Sequence, residues 1–232
     1  QLEEWVEPLK ARFPDLECAT LWNARNWEGI IHAAERVDAD LILTSAGSES
    51  GLGSVVRTPD DWNLLRHSQV PVMLVKESAW PGTGSVLCAL DPFDEDHVDL
   101  NIKLLQRARG LATRLNADLN LVCAYPLFEP WVGELGAVSS YTDIKDGIEA
   151  EIREQVAELV KKADIDYQLL LLEEGQPAQA LTKLVDQAEP LAVVIGTHAR
   201  KGVSGVLLGN TSERILHHLS ADMMTIPAPE QG

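Results

Sequence analysis

Basic residues are scarce in this chain: 19 Lys and Arg stand against 36 Asp and Glu, for a formal net charge of −17. A phosphate backbone is gripped by a cationic face, so this balance argues against nonspecific nucleic-acid binding. Cysteine is equally rare. Cys18, Cys88 and Cys123 each lie in an apolar run, so all three are expected to be buried. An odd number of thiols without paired spacing excludes a disulfide framework and a zinc cluster, and points to a reducing, cytoplasmic setting. No apolar run reaches the length of a membrane span, so no membrane partner is expected. The P-loop lysine signature is absent. Neither GSESG (47–51) nor GVSG (202–205) puts a serine at the centre of a nucleophile elbow. His217 and His218 have no Cys or carboxylate at metal spacing. Aromatics make up only 5%, and Trp5, Trp22, Trp27, Trp62, Trp80 and Trp131 are expected in the core or between units.

What is present is alternation. SVLCALD (85–91), DLNLVCAY (118–125), YQLLLLEEG, LAVVIGT and ADMMTIPA read as strands. Between them lie helical stripes: Leu104, Ala108, Leu111 and Leu115; Ile144, Ile148, Ile152, Val156 and Leu159; and the short PAQALTKLVDQA. Continuous apolar strands separated by helices predict an α/β fold whose parallel sheet is covered on both faces.

Part of this pattern occurs twice. DADLILTSA corresponds to EPLAVVIGT and VPVMLV to ADMMTI, each at an offset of 151 residues. WEGIIHAAERV falls on AQALTKLVDQA and ECATLW on QLLLLE. One gapless offset over such a span predicts a tandem duplication. The expected organisation is a first unit over 1–76, a linker over 77–83 marked by Pro and Gly, and a complete second unit over 84–232. In the second unit 84 residues precede the position matching Glu17, against 16 in the first. The natural protein is therefore expected to carry about 70 further N-terminal residues, enough for the elements the first unit lacks. Residues 1–13 would close the first unit's second helix, and ECATLW would be its third strand.

The segment VVIGTHARKGVSGVLLGNTSERILHHLSADMMTI resembles the C-terminal signature of universal stress proteins. That family's pattern is Gly, two residues, Gly, nine residues, then Gly with Ser or Thr. Here Gly196, Ala199 and Gly209–Asn210 keep the spacing, with two of the chemical positions changed. Asp91, in CALDPFDED, matches the family's Asp after the first strand. The tandem arrangement places the resemblance among the two-unit members. It implies Rossmann-like units with five parallel strands in the order 3-2-1-4-5, and fifth strands paired as an intramolecular pseudo-dimer, with a homodimer as a further option. It also implies an adenine nucleotide, ATP with Mg, bound by the second unit near Asp91, Ala124, Gly196, Ala199, Gly202, Gly205, Gly209, Asn210, Thr211 and Ser212. The implied role is a non-enzymatic stress-response binding and signalling module. Two alternatives stand beside it: a slow ATP hydrolase, and a structural scaffold without nucleotide. No poised base beside a positioned nucleophile supports the hydrolase.

The glycine-rich stretch has two physical readings. Backbone N–H groups leading into a helix N-terminus make an anion hole, with Arg200 and Lys201 to offset phosphate charge. Alternatively, Asn210 and Glu213 form a capping box that satisfies the same N–H groups. In the first unit the equivalents are Ser45, Ser48, Thr58 and Pro59. Pro59 offers no N–H, and Asp60 and Asp61 already occupy the positive helix end, so that copy is expected to bind no phosphate.

Overall fold

The computed structural model describes residues 2–45, 59–76, 80, 82–125, 137–197 and 221–228. The elements in chain order are α1 (Leu2–Arg12), α2 (Asn26–Arg36), β1 (Ile42–Ser45), α3 (Pro59–His67), β2 (Val72–Val75), β3 (Ser85–Leu90), α4 (Val98–Leu115), β4 (Asp118–Tyr125), α5 (Ala137–Ala163), β5 (Leu169–Glu174), α6 (Pro177–Ala188), β6 (Ala192–Thr197) and β7 (Asp222–Pro227). A 3-10 turn, Glu95–His97, leads into α4.

Seven strands form one sheet in the order β1-β2-β7-β6-β3-β4-β5. Within it, β3 to β7 are all parallel and take the order 3-2-1-4-5 when numbered from β3. The sheet is longer than that five-stranded unit because β2 joins β7 antiparallel and brings β1 with it. The register is Val72 with Thr225, Met73 with Met224 and Leu74 with Met223. Met73 and Met224 are 151 residues apart, so the two equivalent strands cross at a residue paired with its own counterpart. The same offset recurs elsewhere. Adding 151 to the bounds of α2 gives 177–187, inside α6. Asp38 and Glu189, which follow those helices, both have left-handed backbones, with φ of 51° and 41°.

The sheet is sandwiched between two cores. On one face α4 and α5 present Leu104, Leu105, Ala108, Ile152 and Val156 to Val86, Cys88, Leu121 and Val194. On the other, α2, α3 and α6 present Ile31, Leu64, Leu181 and Val185 to Leu74, Leu87, Val122 and Val193. This second core runs without interruption from the first repeat to the second. β3 is apolar at nearly every position because both of its faces are covered.

Three expectations are corrected. Residues 17–22 form no strand, and Trp22 is 90% exposed. In the second repeat the corresponding strand, β5, exists by pairing with β4. Among the described residues no strand pairs with residues 17–22, so they have no ladder to join. For the same reason Cys18 is exposed rather than buried. The tryptophans divide likewise: Trp27 and Trp62 pack against the core, whereas Trp5 and Trp80 are exposed. Trp131, His217, His218 and most of the linker lie outside the described residues. Ile144, at the start of its stripe, is also exposed.

Candidate functional site

The crossovers decide where a crevice can form. The helices following β3 and β4 pack on one face, and α6, which precedes β6, packs on the other. The winding therefore reverses between β3 and β6, and in open α/β sheets the crevice at the carboxyl ends of such strands is the usual ligand position. Here the two strands part: their pairing runs from Val86–Ala192 to Cys88–Val194, while β3 continues to Leu90 and β6 to Thr197. By contrast, β3 stays paired with β4 through Leu90 and Cys123.

Asp91 follows β3 at this opening. Its backbone is clasped at two points by Asn101 of α4: the Asp91 N–H donates to Oδ1 at 3.2 Å, and Nδ2 donates to the Asp91 carbonyl at 2.8 Å. Asn101 is buried, so both polar ends of its amide are satisfied by one neighbour. The Asp91 carboxylate remains 60% exposed. Its Oδ2 lies 3.2 Å from His97 Nδ1, and Asp94 Oδ2 lies 3.4 Å from His97 Nε2. His97, the residue preceding α4, caps no helix N–H with its side chain, so the ring serves these acids instead. The charge of Asp91 is felt on β4. Burial first, and then the neighbouring Asp91 carboxylate, push the Cys123 thiol pKa up to about 12.

Gly196 lies near the end of β6, and its missing side chain has a packing cause. A Cβ there would sit 2.9 Å from Leu100 Cδ2 and 3.5 Å from Leu104 Cδ1, so glycine lets α4 lie close on the sheet. Ala124, half-buried on β4, pairs with Glu173 of β5. Thus Asp91, Ala124 and Gly196, from three separate segments, come together at one end of the sheet. Ala199, Gly202, Gly205, Gly209, Asn210, Thr211 and Ser212 lie outside the described residues, as do Ser48 and Thr58.

A rim of phenols and carboxylates lies beyond β4 and β5. Tyr125 OH donates to Glu149 Oε1 at 2.9 Å, and Tyr141 OH donates to Glu174. Burial first, and then the Glu149 hydrogen bond, raises the Tyr125 pKa well above that of a free phenol. These contacts tie α5 to the ends of two strands. Neither the rim nor the His97 and Asn101 supports of Asp91 were among the residues singled out in the sequence. A usable signal existed for the supports: His97 and Asn101 lie one helical turn apart, directly after the loop that follows a buried strand. Among the described residues, no group of three or more His, Cys, Asp or Glu is placed to hold a metal ion. No helix among them is long and apolar enough to cross a membrane.

Comparison with known proteins agrees with this architecture. Residues 84–227 match the model of the universal stress protein family. Universal stress protein E of Photorhabdus laumondii is 33% identical over 221 residues, covering 91% of this chain and 69% of that protein. Universal stress protein E of Escherichia coli K12 is 32% identical over 226 residues, covering 96% of this chain and 71% of that one. A functionally unknown protein of Pseudomonas aeruginosa PAO1, solved by crystallography, superposes with a TM-score of 0.76 at 26% identity, covering 98% of this chain and 78% of that one. By its repeated sequence, its parallel sheet and these matches, the chain belongs to the universal stress protein family.

Proposed function

We propose that this chain is a stress-response binding and signalling module whose second unit, 84–232, holds an adenine nucleotide, with ATP as the reference ligand. The first unit, 1–76, is its structural partner, and 77–83 is the link between them. The observation that carries this reading is the parting of β3 and β6 beside Asp91 at the point of winding reversal, the position where open α/β sheets take ligands. Asp91 Oδ1 has no partner among the described residues and suits a ribose hydroxyl donor. The glycine-rich stretch 196–209 would take the phosphates on backbone N–H groups. The acids Asp91 and Asp94 would repel a bare triphosphate, so Mg would arrive with the nucleotide rather than on a cage of its own. A bound nucleotide of this kind acts as a signal by shifting the population of states that partners read.

Calorimetric titration of the purified chain with MgATP, preceded by mass spectrometry of released small molecules, tests the reading. Saturable binding of one nucleotide is expected, lost in Gly209→Asp, whose carboxylate would occupy the anion hole. No binding at millimolar ATP, or equal binding by Gly209→Asp, overturns it. In the first unit the equivalent helix begins at Pro59, which has no N–H to offer, so no second nucleotide is expected.

A further inference from the structure

We propose that His97 is a positioning residue that aims the Asp91 carboxylate at a ribose, a role that rests on the nucleotide reading above. Asn101 already fixes the backbone of Asp91 from both sides, so only the carboxylate's own rotation remains free. His97 removes that freedom: its Nδ1–H donates to Oδ2 at 3.2 Å. The ring cannot turn away easily, because it is only 9% exposed and its other nitrogen faces Asp94 Oδ2 at 3.4 Å. With Oδ2 held, Oδ1 is left to accept from a ligand, on a carboxylate that stays 60% open to solvent. Rotation fixed in advance is not lost again on binding, which strengthens a charge-assisted hydrogen bond to a diol. Helix capping does not account for the arrangement, because the His97 side chain caps no N–H of α4.

The ribose hydroxyls provide the test. ATP and 2′,3′-dideoxy-ATP are titrated against the full chain and its His97→Ala, His97→Asn and His97→Gln variants, each first checked by thermal melting. Asn carries its amide nitrogen where Nδ1 sits, whereas Gln carries it where Nε2 sits. In wild type ATP should bind more tightly than the dideoxy analogue. His97→Ala and His97→Gln should weaken ATP on the order of tenfold and leave the analogue unchanged, and His97→Asn should restore the difference. Should His97→Ala fail to fold, the Asn and Gln variants decide between themselves. Equal loss for both nucleotides, or an Asn variant as weak as Gln, overturns the positioning role while leaving nucleotide binding intact. If wild type binds neither nucleotide, the nucleotide reading itself fails, and the role of His97 with it.

Discussion

The two repeats make a controlled comparison, because similar sequence meets different surroundings. In the second, five strands pair side by side, and helices cover both faces. In the first, the described residues form two strands. β1 ends the sheet with Leu43 65% exposed, and α1 carries Trp5 at 77% exposure. LLLLEE becomes an edge strand because β4 offers it a ladder, whereas CATLW, without one, stays irregular. Strand propensity is thus a statement about neighbours more than about residues.

Thiol chemistry should show the difference most strongly. Cys18 is exposed, and Cys88 and Cys123 are buried, with pKa values raised chiefly by burial. Native labelling should modify Cys18 faster than the others by on the order of a thousandfold, read by mass spectrometry of peptides. Comparable rates for all three would mean that the second repeat opens as readily as the first. The pH dependence has a definite sign. A thiol acid raised on folding favours the folded state while it stays protonated. That contribution is complete below about pH 8.5 and is lost as pH rises toward 12. Alkaline melts should therefore fall less steeply in Cys123→Ala.

Side-chain truncation comes next in size. Leu105→Ala, on the buried face of α4, should cost about 3 kcal/mol in chemical denaturation, whereas Leu43→Ala on the exposed edge should change stability by less than about 0.5 kcal/mol. A large loss at Leu43 would indicate a neighbour covering β1 in solution.

Asp222 sharpens the comparison at the junction. This buried carboxylate accepts from the Lys76 N–H and from the Trp80 indole Nε1–H, each at 2.7 Å, and so pins the chain leaving β2. Its counterpart in the first repeat is Pro71, which accepts through no side chain. Asp222→Ala should cost about 2 kcal/mol, because it removes the acceptor of two hydrogen bonds. A change at the level of an ordinary surface substitution would show that the linker holds without it.

The smallest effect concerns Gly196 and its counterpart Ser45. Gly196→Ser should cost about 1 kcal/mol, because the new Cβ presses on a terminal methyl of Leu100 that can give way. Ser45→Gly, at an exposed position at the end of the edge strand β1, should cost a few tenths at most. Equal effects would remove the packing explanation for the glycine.

Much of the fold was legible because its signals are local and dense. β4 and α6 fall where DLNLVCAY and PAQALTKLVDQA put them, and an offset between copies survives any error in a single boundary. What was not legible depends on company. The strand at residues 17–22, the burial of Cys18 and the packing of Trp22 each required neighbours that periodicity does not report. The candidate site divides similarly. Asp91, Ala124 and Gly196 were singled out from pattern and resemblance, whereas His97 and Asn101 were not, because their helical spacing alone does not say which residue they serve. Their importance arises only when α4 folds back to place an amide and an imidazole on Asp91. The close approach of Leu100 to Gly196 gives that glycine a packing role that the loop pattern alone did not suggest.

The crossing of β2 and β7 at Met73 and Met224 has a consequence for dilution. Two separate chains that joined along these strands would come apart as their concentration fell. Here residues 76–84 tether β2 to β3, in the same sheet that carries β7, so the partner strand is present at an effective concentration that short tethers set in the millimolar range. The equilibrium between joined and separated becomes unimolecular. A midpoint of unfolding that is the same at nanomolar and at micromolar protein is the signature of that change, and it lets a protein keep this contact however few copies a cell holds.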